Sequence, residues 1–262
     1  MRAVTTLHDD LGAAVDLPAP PRRIVSLVPS ITEALATTVP DRLVGATDWC
    51  TRPADLDVTR VRGTKNPDRA AIGSLHPDLV VANQEENREL DVRRLREAGI
   101  PVWVTRIETV DDAFAALRRL FVEAVGVDEP DWLGAAREVW APAATGPRRR
   151  AAIAIWRDPW MVVGARTFTG DVLDRLGFDN CFGGGVGGSA DRYPTVAAAD
   201  IAAADPDVVV LPDEPYVFSP HDGPEVFPGL PTALVEGRLL TWYGPSLVGA
   251  RATLTAALAV GR

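Results

Sequence analysis

HPDLVVANQEENR, residues 76–88, carries the reading of the whole chain. Pro77-Asp78 ends a preceding helix, because proline lacks the N–H that a helix needs. Leu79-Val80-Val81-Ala82 is an apolar run without alternation, the pattern of a parallel strand buried on both faces. Asn83-Gln84-Glu85-Glu86-Asn87 then turns polar at the strand's carboxyl end, where open α/β sheets bind ligands.

A second copy lies 129 positions further on, by subtraction of 77 from 206: DPDVVVLPDEP, residues 205–215. Pro77-Asp78 matches Pro206-Asp207, the strand matches Val208-Val209-Val210-Leu211, and Glu85 matches Glu214. Upstream, Ile72 matches Ile201. One strand-loop unit thus occurs in each half of the chain. Two similar α/β lobes would turn both polar loops onto one cleft.

Outward from these strands the chain alternates strand and helix. Strands are expected at Arg23–Leu27, Leu43–Thr47, Pro101–Thr105, Ala151–Trp156 and, last, Leu239–Tyr243. Helices are expected from Ser30 to about Thr38, with Ser30 and Glu33 forming a capping box, and over Arg69–Leu75, Arg88–Glu97, Val110–Val125, Asp131–Trp140, Thr169–Leu176 and Leu247–Val260. This alternation defines parallel doubly wound sheets, an α/β fold. The expected organisation is an N-terminal lobe over 1–120, a connecting region over 121–147 and a C-terminal lobe over 148–262. The glycine-rich run from Gly183 to Ser189 is no phosphate loop, since neither Lys-Ser/Thr nor a helix follows it.

Composition narrows the function. The 262 residues are 47% hydrophobic with a net charge of −9, which disfavours nucleic acid and anionic membrane as partners. No apolar run is long enough to span a bilayer. Residues 1–17 show neither a basic-then-apolar signal nor a lipid-anchor cysteine. As written, the chain is expected in the cytoplasm, or in the cell envelope if a signal was trimmed. Cys50 and Cys181 form no disulfide framework. His8, His76 and His221 share no metal-ligand spacing, so no resident metal and no cofactor are expected.

The aromatics say more. Trp49, Trp156, Trp160, Tyr193, Tyr216, Trp242 and Tyr243 fall at strand ends or in the loops after them, as a cleft for a large flat ligand requires. Trp103 and Trp140 read as core. Lys65 and Arg157 are expected to bring positive charge to such a cleft. Asn83, Glu85, Glu86, Asn87 and Glu214 would hydrogen-bond a ligand's periphery.

An ordered set of motifs resembles a known family. Asp10-x-Gly12 and Pro21-x-Arg23-Ile24-Val25-Ser26-Leu27-x-Pro29-Ser30-x-Thr32-Glu33 are followed by Pro77-Asp78-Leu79-Val80 and Gly99-Ile100-Pro101-Val102. Tyr193-Pro194-x-Val196 and Pro206-Asp207-Val208-Val209 complete it. Together they resemble the class III substrate-binding proteins of cobalamin and ferric-siderophore ABC importers, the helical-backbone metal receptors. TKNP (64–67), ANQEENR (82–88), IWRDPWMVVG (155–164) and TWYG (241–244) resemble its cobalamin-binding-like branch.

The resemblance implies two Rossmann-like three-layer lobes joined by a connecting helix. It also implies one corrinoid or ferric chelate between them, whose metal arrives inside the ligand, in a monomer that is not an enzyme. It implies docking to an importer permease through one acidic residue per lobe. The first is Glu89. The second position falls on Ala199, with Asp200 beside it, so docking is expected to be weak. The connecting helix should run about 20 residues, or about 30 Å, whereas only a short helix precedes Pro142. The alternative is a cytoplasmic enzyme or metal-cluster assembly factor using Glu85, Glu86 and Glu214.

Overall fold

The computed structural model describes residues 4–18, 20–184 and 191–259. Most of the glycine-rich run at 183–189, and Val260 at the end of the closing helix, lie outside these residues. The chain separates into two compact units. The first comprises residues 1–107, 111–135 and 243–245, and the second 108–110, 136–242 and 246–262.

The first unit opens with a hairpin, β1 (Val4–His8) and β2 (Ala14–Pro18). Then come β3 (Ile24–Ser26), α1 (Pro29–Thr38), β4 (Leu43–Ala46) and β5 (Thr59–Arg60). The small ribbon of β6 (Arg62–Gly63) and β7 (Asn66–Pro67) leads to α2 (Arg69–Ser74). β8 (Leu79–Asn83), α3 (Glu89–Glu97) and β9 (Val102–Thr105) follow. The parallel sheet runs β5-β4-β3-β8-β9. The chain moves one way from β3 to β4 and the other way through β8 to β9. Right-handed crossovers therefore place α1 on one face and α2 and α3 on the other. Ile72, Val80, Ala82, Val92, Leu95 and Val104 form the core beneath α2 and α3.

α4 (Val110–Arg119) runs into a π-helical turn at Leu120–Val125, which ends at Gly126 with φ +69°. α5 (Asp131–Trp140) follows, and the chain passes into the second unit within it.

The second unit contains β10 (Arg149–Trp156), β11 (Met161–Val162), α6 (Phe168–Arg175), β12 (Phe178–Asn180) and α7 (Ala198–Ala203). β13 (Val208–Pro212), β14 (Thr232–Val235), α8 (Gly237–Thr241) and α9 (Leu247–Ala257) complete it. β12, β10, β13 and β14 are parallel neighbours, and β11 folds back antiparallel on β10.

The repeat extends beyond the strands. β8 and β13 are buried throughout, and Ile72 and Ile201 are fully buried in the helices before them. Asp78 Oδ2 accepts the backbone N–H of Arg22 and Arg23 at 2.8 and 3.0 Å, and Asp207 Oδ2 accepts that of Arg150 at 2.6 Å. Arg23 donates to the Leu75 carbonyl and Arg150 to that of Asp205. In each unit one Pro-Asp step thus ties the incoming strand to its neighbour. His76 and Asp205, the residues before the two prolines, both have positive φ, 44° and 48°.

Two expectations are corrected. Leu239–Thr241 belongs to helix α8, and the last strand is Thr232–Val235. A short apolar run is equally compatible with a buried helical turn, and here Leu239 and Leu240 pack inward from one. Ser30 is no N-cap. Val28 takes that position without a side-chain bond, and Pro29, whose φ suits the first helical residue, occupies N1. Ser30 is buried in the first turn.

The hairpin is pinned to edge strand β9. Asp9, 3% exposed, accepts the N–H of Leu11 and Ala13 and pairs with Arg96 at 2.6 Å. It also accepts from Val104 N, while Asp10 N donates to the Val104 carbonyl. Asp10 pairs with Arg119.

Candidate functional site

In each sheet the strand order reverses beside a central strand, β3 in the first unit and β10 in the second. Loops at the carboxyl ends of such strands are the usual binding surface of open α/β sheets.

In the first unit that surface is held by asparagines. Asn83, buried, donates to the Thr105 carbonyl and hydroxyl at 3.3 and 3.1 Å. Its Oδ1 accepts the N–H of Glu85 and Glu86 at 2.8 and 3.2 Å. Asn87, 6% exposed, donates to the carbonyls of Leu27 and Thr64 at 3.2 and 3.0 Å and accepts Asn83 N–H at 2.9 Å. These amides fold the loop. Lys65 reaches across to donate to the Glu85 carbonyl. Beside it the β4–β5 loop holds Trp49 outward at 67% exposure, while Cys50 beneath is buried against Thr32 and Thr47. Burial pushes the Cys50 thiol pKa up.

In the second unit Trp156 ends β10 at 42% exposure. Its ring meets Tyr216 edge-on, with centroids 5.7 Å apart. The Tyr216 hydroxyl donates to Asp222 at 2.7 Å. Arg157 pairs with Asp222 and with Glu225, the latter at 2.6 Å, and lies over the Trp160 ring at 5.7 Å. Trp160 itself is 8% exposed, stacked on Phe218 and edge-on to Phe227. Glu214 accepts from Thr241 at 3.2 Å and from Trp242. Desolvation raises its pKa, and the two hydrogen bonds oppose the rise.

The expected site residues therefore fall into two groups. Trp49, Lys65, Trp156, Tyr216 and Arg157 lie on strand-end loops with solvent access. Trp160, Trp242, Tyr243, Asn83 and Asn87 are buried, and Glu85, Glu86, Tyr193 and Glu214 are half-buried. Glu89 is exposed in the first turn of α3. Asp200, also exposed, accepts the N–H of Ala197 at 2.9 Å and so caps its own helix α7. Residues not foreseen are Asp222, Glu225 and Thr105. Their signal was weak: acids in a Pro/Gly-rich loop, and one threonine at a strand end.

Among the described residues no cluster of three or more His, Cys, Asp or Glu could hold a metal ion, and no helix is long and apolar enough to cross a membrane. A groove of about 560 Å³ lies between α2 and α3 near Arg69, His76 and Arg94. Another, of about 360 Å³, lies by Arg166, Thr167 and Asp179.

No family model matches the chain. It is 25% identical over 204 residues to the vitamin B12-binding protein of Pectobacterium atrosepticum, covering 73% of this chain and 71% of that one. Among solved structures, the periplasmic vitamin B12-binding protein BtuF of Vibrio cholerae superposes with a TM-score of 0.75 at 20% identity, covering 92% and 98% of the two chains. The periplasmic heme-binding protein RhuT of a Roseiflexus species gives 0.72 at 21%, covering 90% and 97%.

The chain has the fold of these solved periplasmic binding proteins, an α/β fold built as two units on parallel sheets. Within that class the fold is that of the class III substrate-binding proteins, which the similar chains exemplify.

Proposed function

We propose that this chain is a substrate-binding protein, not an enzyme, for a corrinoid or another metal-chelating macrocycle or siderophore of an ABC-type uptake system. The observation that carries the reading is the pair Trp49 and Trp156. Each is a large aromatic ring kept in water at the carboxyl end of a parallel sheet, one in each unit. An exposed ring that size loses apolar burial, and a flat ligand stacked on it recovers that burial. The relatives named for vitamin B12 and heme support the ligand class. Their periplasmic names support the cell envelope, rather than the cytoplasm, as the place of work.

The enzyme alternative has less support. Glu214, one of its three carboxylates, has its pKa raised by desolvation and is occupied by Thr241 and Trp242. On the importer side, Glu89 stands ready at a helix start, whereas Asp200 is engaged in capping. Docking is therefore weaker on the second unit.

The test is titration with cobalamin, cobinamide, hemin and ferric hydroxamates while following tryptophan fluorescence. Micromolar quenching that Trp156→Ala and Trp49→Ala reduce is the expected result. No quenching by any of them refutes the reading.

A further inference from the structure

The strand-end loops of the second unit carry a charge pattern that bears on which ligand they accept. Residues 157–160, 213–231 and 236–238 follow β10, β13 and β14. They hold six carboxylates, Asp158, Asp213, Glu214, Asp222, Glu225 and Glu236, against two guanidiniums, Arg157 and Arg238. Both guanidiniums are engaged within the unit. Arg157 bridges Asp222 and Glu225, with Asp158 3.7 Å away, and Arg238 pairs with Glu236 at 2.9 Å. The same surface exposes Trp156 and Val217, the latter at 71%.

Arg157 was expected to bring positive charge to a cleft and to favour a ligand with anionic or amide oxygens; in the structure it is paired with carboxylates of its own unit. Its guanidinium draws the β13–β14 loop against the end of β10 through two carboxylates. One of these, Asp222, also receives the Tyr216 hydroxyl, and Tyr216 supports the edge of Trp156. The chain of contacts from Glu225 through Arg157, Asp222 and Tyr216 to Trp156 is continuous.

We infer that Arg157 is a positioning residue that fixes the Trp156 platform, and that this face selects a ligand whose edge is neutral or cationic, such as a ring with an amide periphery, over one edged with carboxylates. The inference rests on the proposed function and narrows its ligand class. Like charges brought together at an interface are strongly unfavourable, whereas amide groups can donate to the carboxylates left outside the ion pairs.

The test uses two corrins of the same ring and different edge. Aquocyanocobinamide carries amides and a positive charge. Cobyrinic acid carries carboxylates in their place. Dissociation constants are read from tryptophan quenching at 20 mM and 500 mM salt. The expected result is a preference of about tenfold or more for the cobinamide at low salt that shrinks at high salt, since screening weakens exposed charges. Glu225→Gln, at a half-exposed site, should narrow the preference by releasing part of Arg157. Arg157→Gln should weaken both corrins, as loss of a platform does, and cobyrinic acid the more at low salt, because the face loses a positive charge.

Tighter binding of cobyrinic acid, or an Arg157→Gln effect confined to it, overturns the inference and leaves the function standing. Binding of neither corrin at any salt, with hemin or hydroxamates still bound, overturns the inference alone. Binding of no probe removes both.

Discussion

Asn87→Asp is a sharp test of how the first unit's loop is held. The wild-type amide donates to two backbone carbonyls, of Leu27 and Thr64, and accepts one N–H, from Asn83. The site is nearly closed to water. Removing the amide altogether, as in Asn87→Ala, strands three backbone groups; at about 1 kcal/mol per lost bond this amounts to about 3 kcal/mol. The aspartate costs more, although it is almost the same shape. Its second oxygen faces two carbonyl oxygens, and among the described residues no cationic side chain bonds to this position.

The sign of the pH response follows from this. Burial and the facing carbonyls raise the folded-state pKa of the new acid above its unfolded value. The variant is therefore least damaged below the unfolded pKa, about 3.9 for an ordinary aspartate, and loses stability as pH rises through the raised folded value. Urea unfolding of the full chain at pH 4.5 and 7.5, with hydrogen exchange at the Asn83 amide as local readout, measures both terms. Asn87→Asp matching wild type at pH 7.5, or a deficit that does not shrink on acidification, would refute the reasoning.

Three further outcomes are expected. A Cβ at Gly237 would sit 2.5 Å from Glu214 Cγ and 2.8 Å from its carbonyl oxygen, so Gly237→Ala should cost about 1–3 kcal/mol by overpacking, seen as a lower thermal midpoint. Glu214 has a raised folded pKa, so its contribution is present at low pH and lost as pH rises through and above the ordinary value; Glu214→Gln should flatten that part of the stability–pH curve in paired denaturation series. Cys50 is buried, so iodoacetamide should alkylate it only after unfolding, while half-buried Cys181 reacts sooner; peptide mass spectrometry distinguishes the two.

The fold was legible where burial on both faces leaves its mark. Apolar runs such as Leu79–Ala82 and Val208–Leu211 are too short for a helix between their flanking breaks, and the repeated Pro-Asp step marks where each begins. Leu239–Tyr243 misled because a short run with four apolar or aromatic residues suits a helical turn as well as a strand. The deciding contact is not local: Asp213, 24 residues upstream, accepts the N–H of Gly237 at 2.7 Å at the start of α8.

The position of the loops was legible, and the partners of their side chains less so. The loops lie at strand carboxyl ends as their sequence required. Yet Asn83 and Asn87 bind backbone, because a buried loop must satisfy its own N–H and C=O groups before any ligand is served. Arg157 read as a free cation because its partners, Asp222 and Glu225, lie 65 and 68 residues away, a distance that sequence spacing does not reveal.

The anchoring of the N-terminal hairpin has a consequence for the protein's behaviour in concentrated solution. β9 is the outermost strand of its sheet and would offer unpaired backbone groups to a passing strand of another molecule. Asp9 and Asp10 occupy Val104 on that border from both its N–H and its carbonyl. The hairpin thus acts as a guard against strand-to-strand clumping. Shortening the chain to begin at Pro21 would leave β3 intact but bare the border, and the product should precipitate or oligomerise at concentrations the longer chain tolerates.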